Sequence, residues 1–133
     1  MHIDKINHLG IAVDNIEQAA KVYEMLGLHV EQVLDVPEQK VRVAFIPVGE
    51  STIELVQPTS EDSTVAAYLE KRGEGLHHLA LQVDDITAAL GELEGQGVRL
   101  IDRAPRQGAE GKIAFVHPKS TGRVLIELVE EEA

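Results

Sequence analysis

From residue 3 to residue 13 apolar and polar side chains alternate, with Leu9, Ile11 and Val13 on one side and His8, Gly10 and Ala12 on the other. A period of two marks a strand with one buried face. At Ile16 the period lengthens. Ile16, Ala19, Ala20, Tyr23 and Leu26 fall on one helical stripe, Asp14 stands three residues before Glu17 as in a capping box, and Gly27 is placed to end the element. Strands are predicted next over 28–36, 40–48 and 51–57, with Pro37 and Gly49 at the turns. The same order then returns. A strand over 76–83 precedes a helix over 85–96 that Gly97 ends, and strands follow near 98–103, 112–117 and 123–130. Gly91 and Gly95 make the second helix the weaker of the two. A separate helix from Glu61 to Arg72, capped by Ser63 or Asp62, joins the copies.

The return is also one of residues. Asn7-His8-Leu9-Gly10-Ile11-Ala12-Val13-Asp14-Asn15-Ile16 reappears as His77-His78-Leu79-Ala80-Leu81-Gln82-Val83-Asp84-Asp85-Ile86, an offset of 70 that gives 8 identities over the 24 positions 7–30. Ala44-Phe45 and Ala114-Phe115 keep that offset. Ile53-Glu54-Leu55-Val56 returns as Ile126-Glu127-Leu128-Val129 at an offset of 73, so three extra residues lie between Phe115 and Ile126. The expected fold is α+β: one domain, 1–133, made of two tandem βαβββ modules (1–60 and 76–133) with a linker helix in 61–75, the modules related by a pseudo-twofold axis.

Strand alternation turns Ile53 and Leu55 away from Glu54, and Ile126 and Leu128 away from Glu127. Each module therefore carries one histidine on its first strand and one glutamate on its last, both on the face away from its helix. A pseudo-twofold axis would bring His8, Glu54, His78 and Glu127 together. Two imidazoles and two carboxylates are a standard ligand set for a divalent first-row metal with positions left open. A lone strand histidine or glutamate is more often a plain polar residue, but here the pair occurs twice in register. His2, His29 and His117 have no histidine in the repeat and read as structural or peripheral, and His77, which faces away from His78, reads as a packing residue or a support for the ligands rather than a ligand.

Composition narrows the function. The 133 residues include no cysteine, which excludes disulfides, thiolate nucleophiles and cysteine–zinc sites. A formal charge of −11 and only four aromatic residues argue against nucleic acid as a partner. No apolar run reaches membrane-spanning length and the N-terminus shows no apolar leader, so a cytoplasmic protein is expected, with no membrane partner. Charge is uneven, however. Arg99, Arg103, Arg106, Lys112, Lys119 and Arg123 face only Asp102 and Glu110 in the segment 99–123, a local +4 suited to an anionic ligand or simply to an edge hairpin.

The segments Asn7-His8-Leu9-Gly10-Ile11-Ala12-Val13, Pro37-Glu38-Gln39, Gly75-Leu76-His77-His78-Leu79 and His117-Pro118-Lys119, with Val124-Leu125-Ile126-Glu127-Leu128, resemble the vicinal oxygen chelate superfamily and, within it, the methylmalonyl-CoA epimerases. The resemblance covers almost the whole chain. It implies a rolled eight-stranded mixed sheet around one divalent metal per chain, cobalt first and nickel, manganese, zinc or ferrous iron as alternatives. It also implies an acyl-CoA substrate, a homodimer, and 1,1-proton transfer through an enolate. Glu127 would be one base and Glu54 the other; the alternative is that both glutamates only bind metal and that a water or Glu38 completes the proton relay. Lys119, with His117 in the same turn and Gln82 on the strand of His78, would contact substrate. Some epimerases carry glutamine at the position of Glu54 and a catalytic glutamate near Val43, whereas Val41–Val48 here holds no carboxylate. Glyoxalase I uses the same His/Glu set, so a lactoylglutathione lyase is the enzymatic alternative. A metal-free binding module of the same fold is the non-enzymatic one.

Overall fold

The computed structural model describes residues 1–132, so Ala133, the last position of the expected second module, lies outside the described residues. Its elements run β1 (Ile3–Ala12), α1 (Ile16–Met25), β2 (Gln32–Val36), β3 (Val41–Val48), β4 (Ser51–Pro58), α2 (Thr64–Arg72), β5 (Gly75–Val83), α3 (Ile86–Gly95), β6 (Arg106–Gln107), β7 (Gly111–Val116) and β8 (Ile126–Glu131), with short 3-10 turns at Pro37–Gln39 and Pro118–Ser120. The fold is α+β, as the repeat predicts. Two compact units divide the chain, one formed by His8–His77 and the other by Met1–Asn7 with His78 onward. Strand β1 therefore contributes its first half to one unit and its second half to the other.

In the His8–His77 unit the strands lie in the order β2-β3-β4-β1. β1 and β4 pair in parallel, with Gly10 opposite Glu54, and β3 pairs antiparallel to both of its neighbours. Helix α1 lies against one face of this sheet. Ile16 and Ala20 pack there with Val13, Ala44, Ile46 and Leu55, and with the partly buried Ile11, Tyr23, Leu28 and Ile53. Burial of each large aliphatic side chain contributes on the order of 1.5–3 kcal/mol. Leu26, expected in that stripe, is instead exposed beside Val22 and Met25. The N-cap is Asn15, not Asp14. Its side chain accepts the Gln18 N–H, three residues on, while the Asp14 N–H donates to Glu74. In α2 the cap is Ser63, which accepts the Val65 N–H.

The second unit follows the same plan in the order β1-β5-β8-β7-β6. β5 and β8 are parallel, with Ala80 opposite Glu127, and β7 runs antiparallel to β8. Ile86, Ala89 and Leu90 of α3 pack on Val83, Ala114, Val116 and Leu128. The opposite face of this sheet carries a small cluster of Ala80, Ile113, Val129 and Phe115.

Two predicted strands are corrected. In the first unit Leu28 and Val30 pack on the core, but the ladder starts only at Gln32. In the second, Val98 and Leu100 pack against the core as the alternation requires, yet 98–103 makes only the single bridge Leu100–Val116, and the edge strand is Arg106–Gln107. The physical cause is Asp102. Its Oδ2 accepts the Phe115 N–H at 2.8 Å, taking the donor that a continuing strand would have used.

Candidate active site

Each unit buries one histidine–glutamate pair on the sheet face away from its helix. In the first, His8 of β1 is 1% exposed and Glu54 of β4 4%, and Nδ1 of His8 lies 3.0 Å from Glu54 Oε2. In the second, His78 of β5 is 8% exposed and Glu127 of β8 4%, with Nε2 of His78 3.2 Å from Glu127 Oε1. Register fixes both carboxylates alike. Glu54 stands between Gly10 on the parallel strand and Phe45 on the antiparallel one, and Glu127 stands between Ala80 and Phe115 in the same way. A small residue on one side leaves room above the sheet, and a phenyl ring on the other limits access of water. The Phe115 ring meets His78 edge-on, with centroids 5.9 Å apart.

A buried carboxylate costs several kcal/mol unless it is paired. In each of these two places an imidazole nitrogen lies beside the carboxylate. Nitrogen and oxygen donors of this kind, without thiolate, are what a divalent first-row metal takes. The residues present therefore fit the metal that the superfamily resemblance implies.

The other expected residues take varied positions. His77 is half-buried, its ring edge-on to Tyr68 at 4.9 Å, and burial holds its pKa below the ordinary value. Gln82 accepts a 3.0 Å hydrogen bond from Asn7 Nδ2, which also donates to Glu131 Oε1 at 2.6 Å. His117 caps the 3-10 turn, its Nδ1 accepting the Lys119 N–H at 3.1 Å. Burial of that ring, together with the nearby charges of Arg99 and Lys119, lowers its pKa, so the imidazole is held neutral among cations. Lys119 is exposed in this turn. Of the other basic residues in 99–123, Arg103 pairs with Glu94, Arg106 with Asp102 and Lys112 with Glu130. The local positive charge thus concentrates at Arg99, Lys119 and Arg123. Val43 is buried and paired with Val56.

Sequence reasoning missed a second repeated contact. The first helical N–H of α1, at Ile16, donates to Gln57 Oε1 at 2.9 Å, and that of α3, at Ile86, donates to Glu130 Oε1 at 3.0 Å. Gln57 and Glu130 extend the offset of 73 by one residue. Extending that alignment past Val56 and Val129 exposes the signal.

Comparison with known proteins gives the chain's family. The family model described as Glyoxalase/Bleomycin resistance protein/Dioxygenase superfamily matches residues 7–115. The ethylmalonyl-CoA/methylmalonyl-CoA epimerase of Cereibacter sphaeroides is 40% identical over 130 residues, covering 95% of this chain and 97% of that protein. The mitochondrial methylmalonyl-CoA epimerase of Homo sapiens is 38% identical over 130 residues, covering 96% of this chain and 74% of that protein. A solved structure of methylmalonyl-CoA epimerase in complex with methylmalonyl-CoA and ammonium superposes with a TM-score of 0.94 at 36% identity, covering 99% of this chain and 97% of the other. With a matched family model over most of its length and relatives this similar, the chain belongs to the glyoxalase/bleomycin resistance protein/dioxygenase superfamily.

Proposed function

We propose that this protein is a methylmalonyl-CoA epimerase, interconverting the (R) and (S) forms by moving the proton on C2 through a planar enolate. The observation that carries the reading is the near-full-length similarity, in sequence and in fold, to epimerases, together with a buried histidine–glutamate pair in each unit. His8, Glu54, His78 and Glu127 are proposed to hold one divalent ion. When bound, that ion supplies Lewis-acid polarisation of the thioester carbonyl. Cobalt heads the candidates, and nickel, manganese, zinc and ferrous iron suit the same donors.

The chain's own groups handle the proton. C2 lies between a thioester and a carboxylate, so its hydrogen is acidic enough for a carboxylate base. Glu127 is proposed to take it on one face, its Oε1 oriented by His78. Glu54, placed by the same register in the other unit, is proposed to serve the other face, because Val43 offers no carboxylate. Phe115 and Phe45 keep water from the carboxylates. Arg99 and Lys119, with His117 held neutral beside them, are proposed to receive CoA phosphates, and Gln82 to contact the acyl end. A homodimer is the proposed assembly, which light scattering on the purified chain tests.

The deciding experiment follows the C2 hydrogen. Single-epimer methylmalonyl-CoA incubated in deuterated water should lose its C2 hydrogen during turnover, with deuterium appearing mainly in the inverted product. Absence of exchange, alongside turnover of a glutathione hemithioacetal, would assign a glyoxalase-type lyase instead.

A further inference from the structure

Arg106 opens the two-residue edge strand β6 and pairs with Ile113 of β7. Cross-strand partners point to the same face, and Ile113 belongs to the face that carries Phe115, Ala80 and Val129. Arg106 is therefore a cation on the face of His78 and Glu127. Its Cζ lies 5.5 Å from the centre of the Phe115 ring, whose other neighbour is the His78 ring at 5.9 Å. One phenyl ring thus separates the guanidinium from the histidine–glutamate pair.

Asp102 fixes this arrangement. One carboxylate oxygen accepts the Phe115 N–H at 2.8 Å, and the other lies 3.3 Å from Arg106 Nε. The carboxylate ties the arginine to the strand that bears the ring. It engages the Nε edge of the guanidinium, and the Nη1/Nη2 edge is the one suited to a second carboxylate in bidentate fashion. The side chain is 48% exposed, so a ligand can reach it.

The first unit has no such cation. There the partner of Val43, the repeat equivalent of Ile113, is Leu34. The repeat is broken by a charge at one edge only, and the proposed substrate is itself lopsided, with a carboxylate on one side of C2 and a thioester on the other. The phosphates of CoA lie a full pantetheine arm away from C2, too far for a residue one ring from the catalytic pair.

We propose that Arg106, braced by Asp102 and Phe115, binds the free carboxylate of the malonyl group and selects dicarboxylic acyl thioesters over simple acyl thioesters. This rests on the epimerase reading above and adds to it the group that recognises the free carboxylate of the acyl end.

The test uses malonyl-CoA and propionyl-CoA, which end in a carboxylate and a methyl group respectively. Binding of both is measured by calorimetry on the unmodified protein, Arg106→Ala and Arg106→Lys, with metal content matched. Arg106→Ala should weaken malonyl-CoA about 10- to 100-fold, the loss of a charge-assisted pair, and leave propionyl-CoA within about twofold. Arg106→Lys should recover only part of the loss, because an ammonium cannot form the fork. Equal loss for both ligands would mean a phosphate contact, and no loss for either would mean a surface ion pair with Asp102 only; each overturns the proposal. The two readings fail separately. An unmodified protein that catalyses C2 exchange, with Arg106→Ala binding malonyl-CoA normally, sinks the carboxylate site alone. One that discriminates the two ligands through Arg106 but never exchanges C2 sinks the epimerase reading alone.

Discussion

The two βαβββ units are near copies where they bury polar groups and differ where they meet their own edges. Both set a glutamate between a small residue and a phenylalanine, give it a histidine on the neighbouring parallel strand, and hand the first helical N–H to a polar side chain of the last strand. They part at repeat positions 32 and 102. The N–H of Glu31 donates to Phe45 O and that of Ile101 to Phe115 O, an identical start. Gln32 then continues the ladder opposite Phe45, whereas Asp102 substitutes its carboxylate for the strand. Under the proposed function, the groups that would do the chemistry sit in what is repeated, whereas Arg106 against Leu34, and the His117–Lys119 turn against the tight Gly49-Glu50 hairpin, belong to one unit alone.

The sharpest way to break the comparison is to neutralise the two glutamates one at a time. Glu127→Gln should lower turnover by ~10³-fold or more and stop C2 exchange, since general-base contributions run to about 10⁴. Glu54→Gln should cost ~10²-fold in epimerisation yet keep exchange from one epimer. Near-normal turnover of Glu54→Gln would reduce it to a ligand and the equivalence to geometry. The adjacent histidines come next. His78→Ala should lose most bound metal on elemental analysis, and His77→Ala should retain it; equal losses would reverse their assignment.

Stability comparisons are smaller. Ile86 and Ile16 each begin a helix and are almost fully buried, so Ile86→Ala and Ile16→Ala should each cost about 2–5 kcal/mol in denaturant unfolding. A large gap between them would show that the cores are not equivalent. The His117 cap has no counterpart in the first unit. Its folded pKa lies below the ordinary 6.5, so its contribution is complete above that pH and fades as pH falls through the lowered value, when Nδ1 gains a proton and can no longer accept the Lys119 N–H. A ring titration at or above 6.5 by NMR would contradict this. Smallest of all, Gly91 sits in α3 with open space where a side chain would go and no unusual φ, so Gly91→Ala should raise stability by about 0.5–1 kcal/mol.

Much of this was legible in the sequence, because alternation and the offset of 70 are properties of the chain itself. They place His8 and Glu54, and His78 and Glu127, on one face of each sheet without coordinates, and they locate α1, α3 and the joining helix to within a few residues. What stayed hidden depends on which atom takes a given hydrogen bond. Val98 and Leu100 alternate as a strand should, and only the Asp102 carboxylate on the Phe115 N–H shows why no ladder forms. Asp14 and Asn15 are both good caps by type, and reach alone decides for Asn15. Arg106 was visible only as one of six basic residues until its strand, and hence its face, was known.

The change of offset from 70 to 73 has a consequence of parity. Side chains alternate along a strand, so three residues added within β8 would have turned Glu127 to the helix side and Leu128 to the site. Instead the added length is taken up in the Pro118–Ser120 turn and the segment after it, and Glu127 meets Phe115 just as Glu54 meets Phe45. A turn of this kind works as a register clutch. It absorbs an odd number of residues so that the strand beyond it re-engages on the same face, which leaves the length of this connection free to vary while the carboxylate it leads to stays where it was.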